Sequence, residues 1–101
     1  MAYEIDRLLI KLYERRASEL RILAGQAPRM YIGGNFVDAG PAPISAEDLE
    51  TLIKSIVADE KLQELAATGQ TRFWYQFGET GRLRVQLRTV DGRRTMIIRP
   101  N

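Results

Sequence analysis

The sequence predicts an α+β fold: an antiparallel sheet of about six strands with its helices on one face, in the order α-β-β-β-α-α-β-β-β. Three observations predict it. Residues 71–100 contain consecutive alternating, β-branched or aromatic runs, each bounded by turn residues. Two further segments carry apolar residues at a spacing of 3.6, and the stretch between them switches to a period of two. Helices and strands with one apolar side each are buried most economically as a helical layer on one sheet face, which leaves the other face open.

Ala2 to Arg16 reads as an amphipathic helix, with Ile5, Leu8, Leu9 and Leu12 on one stripe and Glu4, Asp6, Arg15 and Arg16 placed to suit the helix dipole. From Ala17 to Ala24, Leu20, Ile22 and Ala24 alternate with Glu19, Arg21 and Leu23, the pattern of a half-buried strand. Gly25-Gln26-Ala27-Pro28 turns the chain. Arg29 to Ile32 forms a second strand, Gly33-Gly34 with Asn35 a hairpin turn, and Phe36-Val37 the start of a third strand. Gly33-Gly34 lacks the Gly-x-x-x-x-Gly-Lys pattern of a phosphate loop. After Gly40-Pro41-Ala42-Pro43, Ser45 is an N-cap, followed by acids and by a stripe of Leu49, Leu52, Ile53, Ile56 and Val57. Asp59 is expected to cap a shorter helix carrying Leu62, Leu65 and Ala66, which Gly69 ends.

The closing meander is the most informative stretch. Asp91-Gly92 is a two-residue hairpin turn of the type I′ kind. That turn sets Val90 against Arg93, Leu87 against Met96 and Val85 against Ile98, which are assigned to the apolar side. On the other side it sets Arg88 against Thr95, Gln86 against Ile97 and Arg84 against Arg99, with Arg82 two residues along. Phe73, Tyr75 and Phe77 join the apolar side; Arg72, Trp74 and Gln76 join the arginine side. Like charges opposed on a sheet cost up to ~1 kcal/mol per pair. Two readings follow from the residues: a solvated surface covered by arginine stems, or an anion site built from forked guanidinium donors.

Composition narrows the functions. The 101 residues suit a single domain, 1–101, and 45% hydrophobic with 28% charged is globular composition. A net charge of +2 gives no bulk argument for nucleic acid, so cationic function has to come from local clustering. The absence of cysteine removes thiolate metal sites and cysteine nucleophiles, and the absence of histidine removes the usual general base and zinc ligand. No catalytic residue and no metal site are assigned, and a cytoplasmic chain without membrane insertion is expected.

The residues resemble the N-terminal PAS-like domain of the type IV pilus retraction and type II secretion ATPases (PilT/GspE-like), over nearly the whole chain. Ala17-Ser18-Glu19-Leu20-Arg21-Ile22 is similar to the family's Ala-Ser-Asp-Leu-His-Leu strand, and Gly25-Gln26-Ala27-Pro28-Arg29-Met30 to its Gly-x-x-Pro turn. Ile32-Gly33-Gly34-Asn35 resembles Val-Asp-Gly-Asp, and Thr71-Arg72-Phe73-Trp74-Tyr75 resembles Thr-Asp-Phe-Ser-Phe. Arg82-Leu83-Arg84-Val85 resembles Arg-Phe-Arg-Val, and Ile98-Arg99-Pro100 the terminal Phe-Arg. The departures are Glu19 and Arg21 in place of Asp and His, and Arg72 in place of Asp.

The resemblance implies a non-catalytic module that docks on a RecA-like motor domain or another pilus or secretion component, in twitching motility or type II secretion. It implies that Arg82, Arg84 and Arg99 face the nucleotide phosphate, as arginine fingers do. ATP and Mg²⁺ would enter only with a motor domain, and a hexamer only in a full-length context; no cofactor is expected on this chain alone, which carries no Walker A loop. The alternative is a stand-alone interaction module whose arginine face binds an acidic protein. A third reading, single-stranded nucleic acid on Arg72, Trp74, Arg84 and Arg88, is disfavoured by a single open-face aromatic and the small net charge.

Overall fold

The structure, a computed structural model, describes residues 3–79 and 81–101. The order is α1 (Ile5–Glu14), β1 (Glu19–Leu23), β2 (Arg29–Ile32), β3 (Asn35–Asp38), α2 (Ala46–Ile56), α3 (Asp59–Thr68), β4 (Gln70–Phe77), β5 (Gly81–Val90) and β6 (Arg93–Pro100). All strands join one antiparallel sheet in the order β3-β2-β1-β6-β5-β4. The two hairpin systems, β1–β3 and β4–β6, meet where β1 pairs with β6, Leu20 opposite Ile98 and Ile22 opposite Met96.

The core lies on the helical side. Leu8, Leu9 and Leu12 of α1 and Leu49, Leu52 and Ile53 of α2 pack with Leu20, Ile22, Met30, Leu83, Val85, Leu87, Met96 and Ile98 of the sheet. Alternation puts every second strand residue into this layer and its neighbours onto the open side: β5 reads buried at Leu83, Val85 and Leu87 and exposed at Arg82, Arg84 and Arg88.

Local chemistry explains the boundaries. Ser45 Oγ accepts a hydrogen bond from the Asp48 backbone N–H at 3.0 Å, starting α2. Gly69 ends α3 in the left-handed conformation, φ 82°. Asp91 and Gly92 both have positive φ, 51° and 76°, as the tight turn of the β5–β6 hairpin requires. Thr89 and Arg94 lie opposite each other near that turn, on the helical side, and the Arg94 guanidinium bonds both Thr89 Oγ1 and Glu50 of α2 at 2.8 Å.

Four sequence expectations are corrected. The first helix is shorter than Ala2 to Arg16: Ala2 lies outside the described residues, Glu4 is the N-cap, and Arg16 has left the helix with φ 52°. Asp59 is the first helical residue of α3 and Ala58 the N-cap, with no side-chain cap bond. Of the α3 stripe, Leu65 is buried, Leu62 half-buried and Ala66 exposed. Val90 does not share a side with Leu87 and Val85; three residues from Leu87, an odd step on a period of two, it falls on the arginine side and is 55% exposed.

Gly92→Ala forces a side chain into the left-handed region and is expected to cost about 1–2 kcal/mol, read as a lower denaturation midpoint with an unchanged m-value.

Candidate functional site

The open face divides into two electrostatic halves. Its inner half is built on β1 and β6. Glu19 is only 8% exposed, although it projects from the side of the sheet opposite the helices. Its Oε1 accepts from Arg99 Nε at 3.0 Å, with Arg99 Nη2 also 3.0 Å away. Its Oε2 accepts from Arg21 Nε at 3.0 Å and lies 2.8 Å from Arg21 Nη2. Each carboxylate oxygen therefore takes one forked guanidinium, and the two cations share a single buried anion. The guanidinium carbon of Arg21 also sits 5.0 Å from the Phe36 ring centroid, and Phe36 packs on Tyr31 at 4.9 Å.

The outer half is built on β4 and β5. Trp74 lies opposite Arg84, and the guanidinium carbons of Arg82 and Arg84 are 4.4 Å and 5.0 Å from its ring centroid. Such contacts contribute about 0.5–1 kcal/mol at exposed sites and hold the guanidinium planes in place. With the Gln86 amide oxygen turned towards Arg88, it accepts from Nε and Nη2 at 3.0 Å each. Among the described residues, no carboxylate lies within ion-pair distance of Arg72, Arg82, Arg84 or Arg88. Depressions of about 360 Å³ and about 320 Å³ open here, one lined by Arg72, Phe73, Trp74 and Arg84, the other by Glu64, Gln70, Thr71, Arg72, Gln86 and Arg88.

All six residues singled out from the sequence lie on this face. Arg84 and Arg99 are direct cross-strand partners, as the turn register requires, and Arg82 is one alternate position along β5. They are not electrostatically equal, however. Arg99 is engaged by Glu19, whereas Arg82 and Arg84 share Trp74. Sequence reasoning missed Glu19 as the residue that orients Arg99, because the pairing of β1 with β6 spans 80 residues. The available signal was an acid alternating with Arg21 on a strand whose other side is apolar.

At the far end of β4, Thr71 Oγ1 donates to Glu64 Oε2 at 2.8 Å, and Lys61 lies 3.4 Å from the same oxygen. The Thr71 hydroxyl and the Lys61 charge hold the Glu64 carboxyl below the usual carboxylate range.

No protein-family model matches the sequence, and no curated protein matches it. Solved structures do. The pilus retraction motor PilT with bound ADP aligns at TM-score 0.86 and 24% identity, covering 96% of this chain and 29% of that one. The Legionella pneumophila ATPase DotB aligns at 0.80 and 23%, covering 95% and 28%. The Yersinia pseudotuberculosis ATPase DotB aligns at 0.75 and 14%, covering 98% and 31%. The chain shares the fold of one part of these ATPases and spans less than a third of their length. Among the described residues, no group of three or more His, Cys, Asp or Glu could hold a metal ion, and no helix is long and apolar enough to cross a membrane.

A double-mutant cycle tests the shared anion. Arg99→Met leaves Glu19 with Arg21, and Arg21→Met leaves it with Arg99, so each change is expected to cost about 1 kcal/mol. The double change strands a buried carboxylate and should exceed the sum of the single costs in urea unfolding. Separately, Thr71→Val should raise the Glu64 pKa towards its ordinary value in an NMR titration. A carboxylate with a depressed folded pKa stabilises above its unfolded pKa and loses that contribution as pH falls through the folded one, so the variant should lose pH dependence in that acid window.

Proposed function

We propose that this chain is a non-catalytic N-terminal module of a pilus or secretion ATPase that docks on a RecA-like motor domain and presents arginines to the nucleotide phosphate. The observation that carries this reading is the superposition of 96% of the chain on part of an ADP-bound motor. The open face supplies chemistry to match. Arg82 and Arg84 carry no carboxylate among the described residues, and Trp74 pre-orders them, so their donors are available to an anion at little further entropic cost. A guanidinium has five N–H donors. Arg99 directs its Nε–H and an Nη2 at Glu19, which leaves Nη1 for an outside acceptor and fixes where it points. The chain's own part is electrostatic: positive charge held against developing phosphoryl charge, with ATP and Mg²⁺ supplied at the motor domain.

A second reading, docking of an acidic protein surface with no nucleotide involved, draws on the four arginines of β4 and β5 that have no carboxylate within ion-pair distance among the described residues. Tyr31 and Phe36 are exposed on this face as well as Trp74, so the open side carries more than the single aromatic expected. Binding of single-stranded nucleic acid still has less support, because Trp74 and Phe36 already carry guanidinium groups and Phe36 packs on Tyr31.

The test joins the chain to its motor domain and measures ATP hydrolysis. Arg82→Gln with Arg84→Gln should leave the melting temperature within a few degrees and lower kcat by about 10²-fold or more, the scale on which arginine fingers act. Unchanged hydrolysis with unchanged folding sinks the nucleotide reading and leaves the acidic-surface one. Loss of folding would make those arginines structural.

A further inference from the structure

The two edges of the sheet are built differently. β3 is the short kind that proteins leave exposed safely: four residues, entered from Gly33-Gly34 and ending at Asp38. β4 is eight residues long and pairs with β5 without a bulge from Gln70–Arg88 to Phe77–Gly81. It contains no proline and carries Phe73, Trp74, Tyr75 and Phe77. Trp74 is 44% exposed, and the other three are only half-buried although they project to the helical side. Among the described residues, nothing outside β5 hydrogen-bonds to the backbone of residues 72–77. A long, regular, aromatic edge with open backbone groups is a template for another strand.

We propose that the outer edge of β4 accepts an extended segment of a partner protein, with acidic and apolar residues alternating, as an added antiparallel or parallel strand. This deepens the acidic-partner reading by naming the docking element and the pattern of what docks. Strands pair about 4.8 Å apart and project alternate residues to opposite faces. Every second residue of the added strand therefore stands beside Arg72, Trp74 and Gln76, with Gln86, Arg84 and Arg82 opposite them one strand further in. A carboxylate beside Arg72 meets its guanidinium directly, and those beside Trp74 and Gln76 have Arg84 and Arg82 on the next strand; among the described residues none of these arginines has a carboxylate within ion-pair distance. The intervening residues fall beside Phe73, Tyr75 and Phe77, where apolar side chains complete a half-covered surface. A second copy of this chain fits less well, since self-pairing through β4 sets the arginines of both copies on one continuous face.

The probe is an eight-residue peptide of alternating Glu and Val, added to the intact chain and followed by binding and by amide hydrogen exchange. Binding should weaken with salt, and protection should rise at the outward amides of residues 72–77 and not on β3. A fully N-methylated peptide, which keeps the side chains but has no N–H donors, should bind roughly tenfold or more weakly. A scrambled peptide of the same composition should do likewise. Arg72→Glu should reduce affinity for the Glu-Val peptide and create affinity for a Lys-Val peptide. Binding without protection of β4, or equal binding of the N-methylated peptide, overturns this proposal while leaving the acidic-surface reading standing. No binding at low salt overturns both. A concentration-dependent dimer that protects β4 and excludes the peptide assigns the edge to a second copy and overturns it as well.

Discussion

A carboxylate that is buried on the otherwise open side of the sheet is the constraint on which this surface depends. Glu19 would be costly to desolvate alone, and it is tolerated because two guanidinium forks converge on its two oxygens. The same contact relieves the repulsion between Arg84 and Arg99, which the β5–β6 turn forces into opposition. It also joins the two hairpin systems across the seam between β1 and β6 from the side away from the core. One acid thus links strand pairing, surface charge and the orientation of an arginine that the candidate site needs.

The consequence is an asymmetric surface. Positive charge is ion-paired on the inner strands; on the outer ones, among the described residues, no carboxylate comes within ion-pair distance of it, and Trp74 packs against two of its guanidinium groups. Changes at Glu19 are therefore expected to act on the fold, whereas Arg82 and Arg84 have no ion pair among the described residues whose loss would weaken it.

Most of the fold was legible because its signals are local. Ser45, Gly69 and Asp91-Gly92 each act within a few residues; a strict period of two carried the register of β5 and β6 from a single turn and sorted the two sides of β4. The same rule, misapplied by one position, put Val90 on the wrong side. Asp59 failed as a cap because acids favour the first helical turn as well as the position before it, and sequence alone does not separate the two. The role of Glu19 was hidden for a different reason. Its partner is brought beside it only by sheet closure between distant segments, and no local pattern encodes which strands become neighbours.

The charged groups of this face stand on strands and not on loops. Along β5, Arg82, Arg84, the neutral Gln86 and Arg88 occupy successive open-side positions near 7 Å apart, and across to β6 or β4 the step is near 5 Å. The anchor points of this grid are fixed by the backbone, while each guanidinium reaches from them on a flexible stem. A partner of the proposed kind would thus be matched coarsely by strand spacing and finely by side-chain adjustment.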